Sequence, residues 1–247
     1  MIKIKTKEEI ETIGKAGKIL AKVSDILRKN VKSGIATKEL DSIAEKAFDK
    51  FGVVSAFKGY KGFPANICAS INEEVVHGIP DNRKLSDGDM LSIDLGIKLD
   101  GYYADMAFTQ PVGKVKAESK RLMDITKEAL ARGIRQAKVN KKIYDISFAI
   151  QSFVEASGFS VVREYVGHGI GKELHEEPQI PNFGRPNTGE AITEGMVFAI
   201  EPMVNMGGWE VDIKDNGWTA VTKDGLPSCH FEHTVAVLKD GPKILTQ

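Results

Sequence analysis

The stretch LSDGDMLSIDLGIKLDGYYADMAFT (85–109) decides the fold. Two apolar runs, LSIDLGI (91–97) and YYADMAFT (102–109), flank KLDG (98–101), whose Asp-Gly pair is a turn signal, so the stretch predicts a β-hairpin. If KLDG forms the loop, Asp94 faces Asp105 directly, on one face of the hairpin. Like charges placed opposite each other destabilise a sheet. A carboxylate inside an apolar strand is costly unless a cation meets it, and neither run contains Arg or Lys. Two metal ions bridged by these carboxylates would turn the repulsion into a site. The plainer alternative is a shifted register that leaves one Asp in solvent.

Further along the chain the same pattern returns. LSDGDMLSID (85–94) resembles ITEGMVFAIE (192–201): apolar, hydroxyl, acid, Gly, then Met and a hydrophobic run ending Ile-acid. Upstream, FGVVSAF (51–57) is matched by SGFSVV (157–162), at nearly the same separation. Glu201 therefore occupies in a second half the place that Asp94 occupies in the first. A third buried-strand pattern, CHFEHTVAVL (229–238), carries Glu232. Related halves of about 1–110 and 111–247, facing each other in one catalytic domain, could bring acids from both into a single cleft.

The remaining segments predict α+β, with helices covering one face of a curved, mostly antiparallel sheet. Thr6 and Glu9 form a capping box, and Ile10, Ile13, Leu20, Val23 and Leu27 make a helical stripe. Thr37 is the expected cap of a second helix with Leu40, Ile43, Ala47 and Phe51 inward and Gly52 at its end. Helices are expected over 117–138 and 143–157, strands over 53–109 and again to the C-terminus, and a Pro/Gly-rich loop over 178–190.

Bulk properties exclude several function classes. The 34 basic residues balance 34 acidic ones, so no polyanion partner and no nucleic-acid specificity is implied. No apolar run approaches a membrane span, and MIKIKTKEEI lacks the apolar core of a signal peptide. Cys68 and Cys229 do not suggest a disulfide framework, so a cytoplasmic, reducing setting is expected. The histidines are His77, His168, His175, His230 and His233. His168 lies between glycines that let backbone approach a ligand. His230 and His233, which flank Glu232, are expected to point away from or oblique to its face, which makes both poorer ligand candidates.

The runs NEEVVHGIP (72–80), SIDLG (92–96), DGYYADMAFT (100–109), YVGHGIGKELHEEPQIPNFG (165–184), GMVFAIEPM (195–203) and FEHTVAV (231–237) resemble those of the type I methionine aminopeptidases, in the family's order and spacing over nearly the whole chain. The resemblance implies the two-halved pita-bread fold. It also implies a dinuclear metal site of Asp94, Asp105, His168, Glu201 and Glu232, with Asp105 and Glu232 bridging. His77 and His175 match the family's two non-ligand histidines. The short interval from His168 to Glu201 leaves no room for the helical insertion of type II enzymes, so the short bacterial form is expected.

The activity so implied is removal of the N-terminal methionine from nascent proteins when the second residue is small, by attack of a metal-bridging hydroxide on the first peptide bond. His175 would donate to the carbonyl oxygen, His77 would contact the scissile amide, and Glu201 would carry the proton. An oxygen-rich site of this kind suits Co, Mn, Fe or Zn. By the same resemblance Tyr60, Phe63, Cys68, Leu174 and Trp218 wall an apolar methionine pocket, with Phe57 nearby and Leu174 standing where many relatives have an aromatic residue. Asn72 and Ser228 match positions near a bound monovalent cation. Expected partners are nascent-chain N-termini, with peptide deformylase and the ribosome acting upstream and a transient ribosome contact; a monomer is expected. Three rivals are a prolidase or aminopeptidase P, which usually carries a large N-terminal domain, a creatinase-like enzyme, which does not need this ligand set, and a metal-free binding protein on the same fold.

Overall fold

The computed structural model describes all residues, 1–247. The first half runs α1 (Lys7–Asn30), α2 (Thr37–Phe51), β1 (Val54–Ser55), a 3-10 turn (Tyr60–Gly62), β2 (Cys68–Ile71), β3 (Glu74–Val76), β4 (Met90–Leu99) and β5 (Tyr102–Pro111). The second runs α3 (Ala117–Gln136), α4 (Ile143–Ala156), β6 (Ser160–Val161), β7 (Val166–Gly169), β8 (Glu176–Pro181), β9 (Val197–Ile200), β10 (Met203–Asn205), β11 (Val211–Ile213), β12 (Ala220–Thr222), β13 (Ser228–His230), β14 (His233–Leu238) and β15 (Gly241–Ile244). Every strand pairing is antiparallel. No helix is long and apolar enough to cross a membrane.

The helix ends follow the local chemistry, with one correction. Thr6 Oγ1 accepts from Glu9 N and the Glu9 carboxylate accepts from Thr6 N, so the expected capping box is present. The second helix is capped one residue earlier than expected, at Ala36, whose N–H is taken by the Glu39 carboxylate at 2.8 Å. Thr37 is the first helical residue, and its hydroxyl donates to Asp81 O instead. The expected stripes are buried: Ile10, Ile13, Leu20, Val23 and Leu27 on α1, and Leu40 and Ala47 on α2, joined there by Ala44 and Phe48. Ile43 and Phe51 are only half-buried.

The hairpin forms, in a different register from the expected one. Leu99 pairs with Tyr102, so only Asp100 and Gly101 lie in the turn. Their φ values of 49° and 84° are both positive, as a type I′ turn requires. That turn matches the twist of the strands, so Lys98 and Leu99 stay in the ladder. Asp94 pairs with Ala107, and Asp105 with Gly96. The two acids are therefore diagonal rather than opposite. Because the shift is even, both still project from the same face.

Two main cores lie side by side. One gathers α1, α2, β2, β4 and β5 around residues such as Leu20, Leu91 and Phe108; the other gathers α3, α4, β9 and β14 around Leu122, Ile150 and Phe198. Local details also repeat between the halves. Ala36 bridges to Lys84 ahead of β4, and Lys142 bridges to Ala191 ahead of β9. Gly52 and Gly158 both take positive φ after α2 and α4. The halves meet where β5 lies against the segment 230–234. There Asp105 N donates to Thr234 Oγ1, Thr234 Oγ1 donates to Asp105 O, and Glu232 N donates to Ala107 O.

Candidate metal centre

Glu201 and Glu232 lie in a bent ribbon. β9 pairs with β14 up to Ile200↔His233, and β10 pairs with β13 from Met203↔His230. Between these ladders Glu201, Pro202, Phe231 and Glu232 leave the regular pairing. Pro202 has no N–H to offer a ladder, and Glu232 N turns to Ala107 O at 2.9 Å. Neither glutamate sits inside a strand, where the apolar runs suggested; each stands at a bend that releases its side chain from strand alternation. Asp94 comes from β4, Asp105 from β5 and His168 from β7.

The five side chains converge on one cavity of about 250 Å³, which also receives Tyr60, Phe63, Cys68, His77, Leu174, His175 and Trp218. Phe57 lines it too, and Lys61, which the sequence did not single out, is the one cationic residue in its wall. A larger open groove of about 930 Å³ behind β5 and α3 holds none of the five. Ligand atoms of Asp105, His168 and Glu232 lie within 4.8 Å of one another. Asp94 Oδ1, Asp105 Oδ1 and Glu232 Oε1 are buried with no hydrogen-bond partner.

Burial pushes the Asp94 carboxyl up to about 7 and the Glu201 carboxyl up to about 8. Asp105 and Glu232 are raised well above the carboxylate range by burial first and by their acidic neighbours second. Burial holds the imidazoles neutral, His168 at about 3 and His77 at about 4. His168 Nδ1 lies 3.0 Å from Gly169 O, which can only accept. The ring proton is therefore on Nδ1, and the Nε2 lone pair points into the site, 3.5 Å from Glu201 Oε1. Unpaired carboxylate oxygens, a neutral imidazole with a free lone pair and no adjacent cation fit a divalent metal.

The two other site histidines sit at the cavity mouth. His77 follows β3 with φ 58°, an uncommon conformation for a residue with a Cβ, and its carbonyl accepts from Thr219 Oγ1 at 3.3 Å. Its ring meets Tyr165 edge-on at 5.3 Å and Trp218 at 6.5 Å between centroids. His175 precedes β8, its ring lies 4.3 Å from that of His168 between centroids at a tilt of 50°, and its Nδ1 shares a 2.8 Å hydrogen bond with Tyr60 Oη. Asn72 O accepts from Ser228 N at 2.8 Å, so that pair is also brought together. Their side chains are already bonded within the protein, Asn72 to Asp89 and Ser228 to Asn205.

The expectation for His230 is corrected. His233 does turn away, to Thr246 Oγ1 at 2.9 Å, but His230 Nε2 faces the site, 3.4 Å from Glu201 Oε2. Residues 230 and 232 are two apart, so strand alternation itself sets both on one face, and only His233, one residue on, is turned away by it.

Comparison with known proteins agrees with this architecture. The profile of metallopeptidase family M24 matches residues 11–239. Methionine aminopeptidase 1 of Bacillus subtilis is 51% identical over 247 residues, all of both chains. Methionine aminopeptidase of Clostridium perfringens is 51% identical over 246 residues, 100% of this chain and 99% of the other. The crystal structure of methionine aminopeptidase from Thermotoga maritima superposes with a TM-score of 0.98 at 46% identity, covering both chains fully. A prolidase from Pyrococcus furiosus shares the fold at a TM-score of 0.82 and 25% identity, but only 65% of that chain is covered. Matched end to end by the first group and only in part by the prolidase, the chain belongs to metallopeptidase family M24, on its methionine aminopeptidase side.

Proposed function

We propose that this protein is a metal-dependent aminopeptidase that removes N-terminal methionine from nascent chains whose second residue is small. The observation that carries the reading is one cavity that joins buried, unpaired carboxylates at its floor to an apolar wall at its side. Asp94, Asp105, His168, Glu201 and Glu232 would hold two divalent ions, of Co, Mn, Fe or Zn. When bound, the metals supply Lewis acidity that brings the pKa of water down towards neutrality and anchors the substrate amine.

The protein's own groups do the rest. Glu201 takes the proton from water and passes it to the leaving amine. In this reading Tyr60 Oη is the donor in its 2.8 Å hydrogen bond with His175 Nδ1, which leaves the His175 proton on Nε2, the atom that donates to the carbonyl oxygen as negative charge develops. A neutral imidazole can do this because one ring nitrogen still carries hydrogen. His77, held by Thr219, contacts the scissile amide. Phe63, Cys68, Leu174 and Trp218 exclude water from the methionine side chain, and the thioether suits such a wall.

Several finer features belong to the same proposal. The protein works as a monomeric single domain of two related halves in the cytoplasm. It takes its substrates from the ribosome after deformylation, and a monovalent cation sits near Asn72 and Ser228. The test is turnover of Met-Ala-Ser against Met-Phe-Ser and Ala-Pro peptides by metal-loaded protein. Met-Ala-Ser should be cleaved and the others spared; equal rates would refute the specificity, and preference for Ala-Pro would make it a prolidase.

A further inference from the structure

The mechanism above leaves one buried polar group at the site without a task. The His230 side chain is only 2% exposed, and its Nε2 has no hydrogen-bond partner. That atom lies 3.4 Å from Glu201 Oε2, while His168 Nε2 lies 3.5 Å from Oε1. The Glu201 carboxylate is thus bracketed by two imidazoles, and they are not equivalent. His168 has its proton on Nδ1, committed to Gly169 O, so it faces Glu201 with a lone pair. His230 makes no such bond.

The backbone of His230 is pinned. Its N–H donates to Thr109 Oγ1 at 3.0 Å, and its carbonyl accepts from Thr109 Oγ1 at 2.8 Å. Thr109 is itself tied to Ser92 Oγ at 2.7 Å. A ring hung from a fixed strand end, buried and pointing at a carboxylate oxygen, is built to donate to it. Glu201 needs such a partner. It stands at a bend outside the strand ladder, and nothing else in its own segment fixes the carboxylate rotamer.

We propose that His230 is a positioning residue: its Nε2–H donates to Glu201 Oε2 and turns Oε1 into the cluster formed by Asp105, His168 and Glu232. This rests on the reading that Glu201 is a metal ligand. It gives the site a further functional side chain, one that touches neither substrate nor metal. The effect should also be one-sided. If, as the family resemblance implies, His168 and Glu201 hold one ion and Asp94 the other, the first should depend on His230 and the second should not.

The test uses metal-stripped full-length protein, with Mn²⁺ as the probe. Calorimetric titration gives equivalents and affinities for the wild type, His230→Leu and His230→Gln, alongside kcat and KM on Met-Ala-Ser. His230→Leu should keep one tight equivalent and weaken the other by about 10–100-fold, as loss of a partner of a metal ligand does. Its kcat should fall with KM little changed, and His230→Gln, which keeps an N–H donor, should recover most of both. A Leu variant that binds both equivalents like the wild type would overturn the proposal. So would a Gln variant as weak as the Leu one, since packing alone would then explain the loss. A Leu variant unable to bind any Mn²⁺ would make His230 a ligand instead. Wild-type protein that binds no Mn²⁺ would overturn the metal reading itself. One measurement needs no variant: ¹⁵N spectra of histidine-labelled wild type should show His230 as the Nε2–H tautomer, and the Nδ1–H tautomer would refute the assignment.

Discussion

Asp94 and Glu201 show what burial does to a carboxyl with no cation beside it. With no metal bound, Asp94, pushed up to about 7, is part-protonated at neutral pH and Glu201, pushed up to about 8, is mostly protonated; burial and acidic neighbours also raise Asp105 and Glu232 well above the carboxylate range. Their folded-state pKa values lie above the unfolded ones, so the metal-free protein binds more protons folded than unfolded. This contribution to stability is complete below the ordinary carboxyl range, and it is lost as pH rises through 7 and 8. Metal must displace these protons, so binding near pH 7 should release more than one. Calorimetry in buffers of low and high ionisation enthalpy measures the release, and a heat independent of buffer would mean that the carboxyls are already ionised. Ligand and non-ligand histidines should also separate. His168→Ala should lose metal and activity together. His175→Ala should keep its metal and lose on the order of 2.7–4 kcal/mol of transition-state stabilisation, the range of a lost oxyanion donor. A metal-free His175→Ala protein would show that its role is misassigned. The identities of these residues were legible in the sequence because buried acids without cations are rare. That His230 shares the face of Glu232 follows from alternation, since the two are two residues apart, but its approach to Glu201 was not legible, because that depends on where the ribbon bends.

The hairpin of β4 and β5 couples packing to the site. Gly96 pairs with Asp105, and a Cβ there would sit 2.9 Å from the Phe57 ring, 3.0 Å from the Ala56 side chain and 3.2 Å from Asp105 Oδ1. Gly96→Ala should therefore weaken metal affinity without removing a ligand, because relief of the contact moves either Phe57 or the carboxylate. Unchanged Mn²⁺ affinity in that variant would show that the hairpin yields elsewhere. A second element-level dependence runs through the N-terminal segment. Lys5 Nζ donates to Glu176 Oε2 at 2.7 Å with both side chains buried, and Glu176 Oε1 accepts from the backbone of Lys172 and Glu173, in the loop that carries Leu174 and His175. Lys5→Ala leaves that buried carboxylate with only the exposed Lys3 at 3.4 Å as a cationic partner, a loss of up to about 3 kcal/mol. Thermal unfolding should show it, and turnover should fall at unchanged metal content. Wild-type stability in the variant would show that the backbone donors suffice. Periodicity and Gly positions made α1, α2 and the hairpin legible. The register was not, because KLDG and its Asp-Gly core both make acceptable loops, and the choice falls to strand twist. The cap of α2 moved to Ala36 for a similar reason: Asp81, distant in sequence, claims the Thr37 hydroxyl.

At the scale of the whole molecule, the site is where the halves meet. Asp94 and Asp105 come from β4 and β5, while His168, Glu201 and Glu232 come from the second half, and each half packs most of its own core. The repeat of LSDGDMLSID in ITEGMVFAIE made this division legible, because matching turns lead into β4 and β9. The ribbon bend that delivers Glu201 and Glu232 was not legible, since it exists only through pairing of distant strands. A ligand held by groups from both halves stabilises the folded molecule by linkage, about 2.7 kcal/mol at a concentration 100 times its dissociation constant. For a chain of this size each kcal/mol moves the midpoint by about 2–4 °C, so saturating Mn²⁺ should raise Tm by about 5–10 °C over chelated protein. The shift should be larger at pH 8 than at pH 6, because more of the carboxyls are then ionised and repel one another in the metal-free site, and binding has fewer protons to displace. His175→Ala should keep the shift, and His168→Ala should lose most of it. Identical midpoints with chelator and with Mn²⁺ would mean that the acids of the two halves do not close on a common ion.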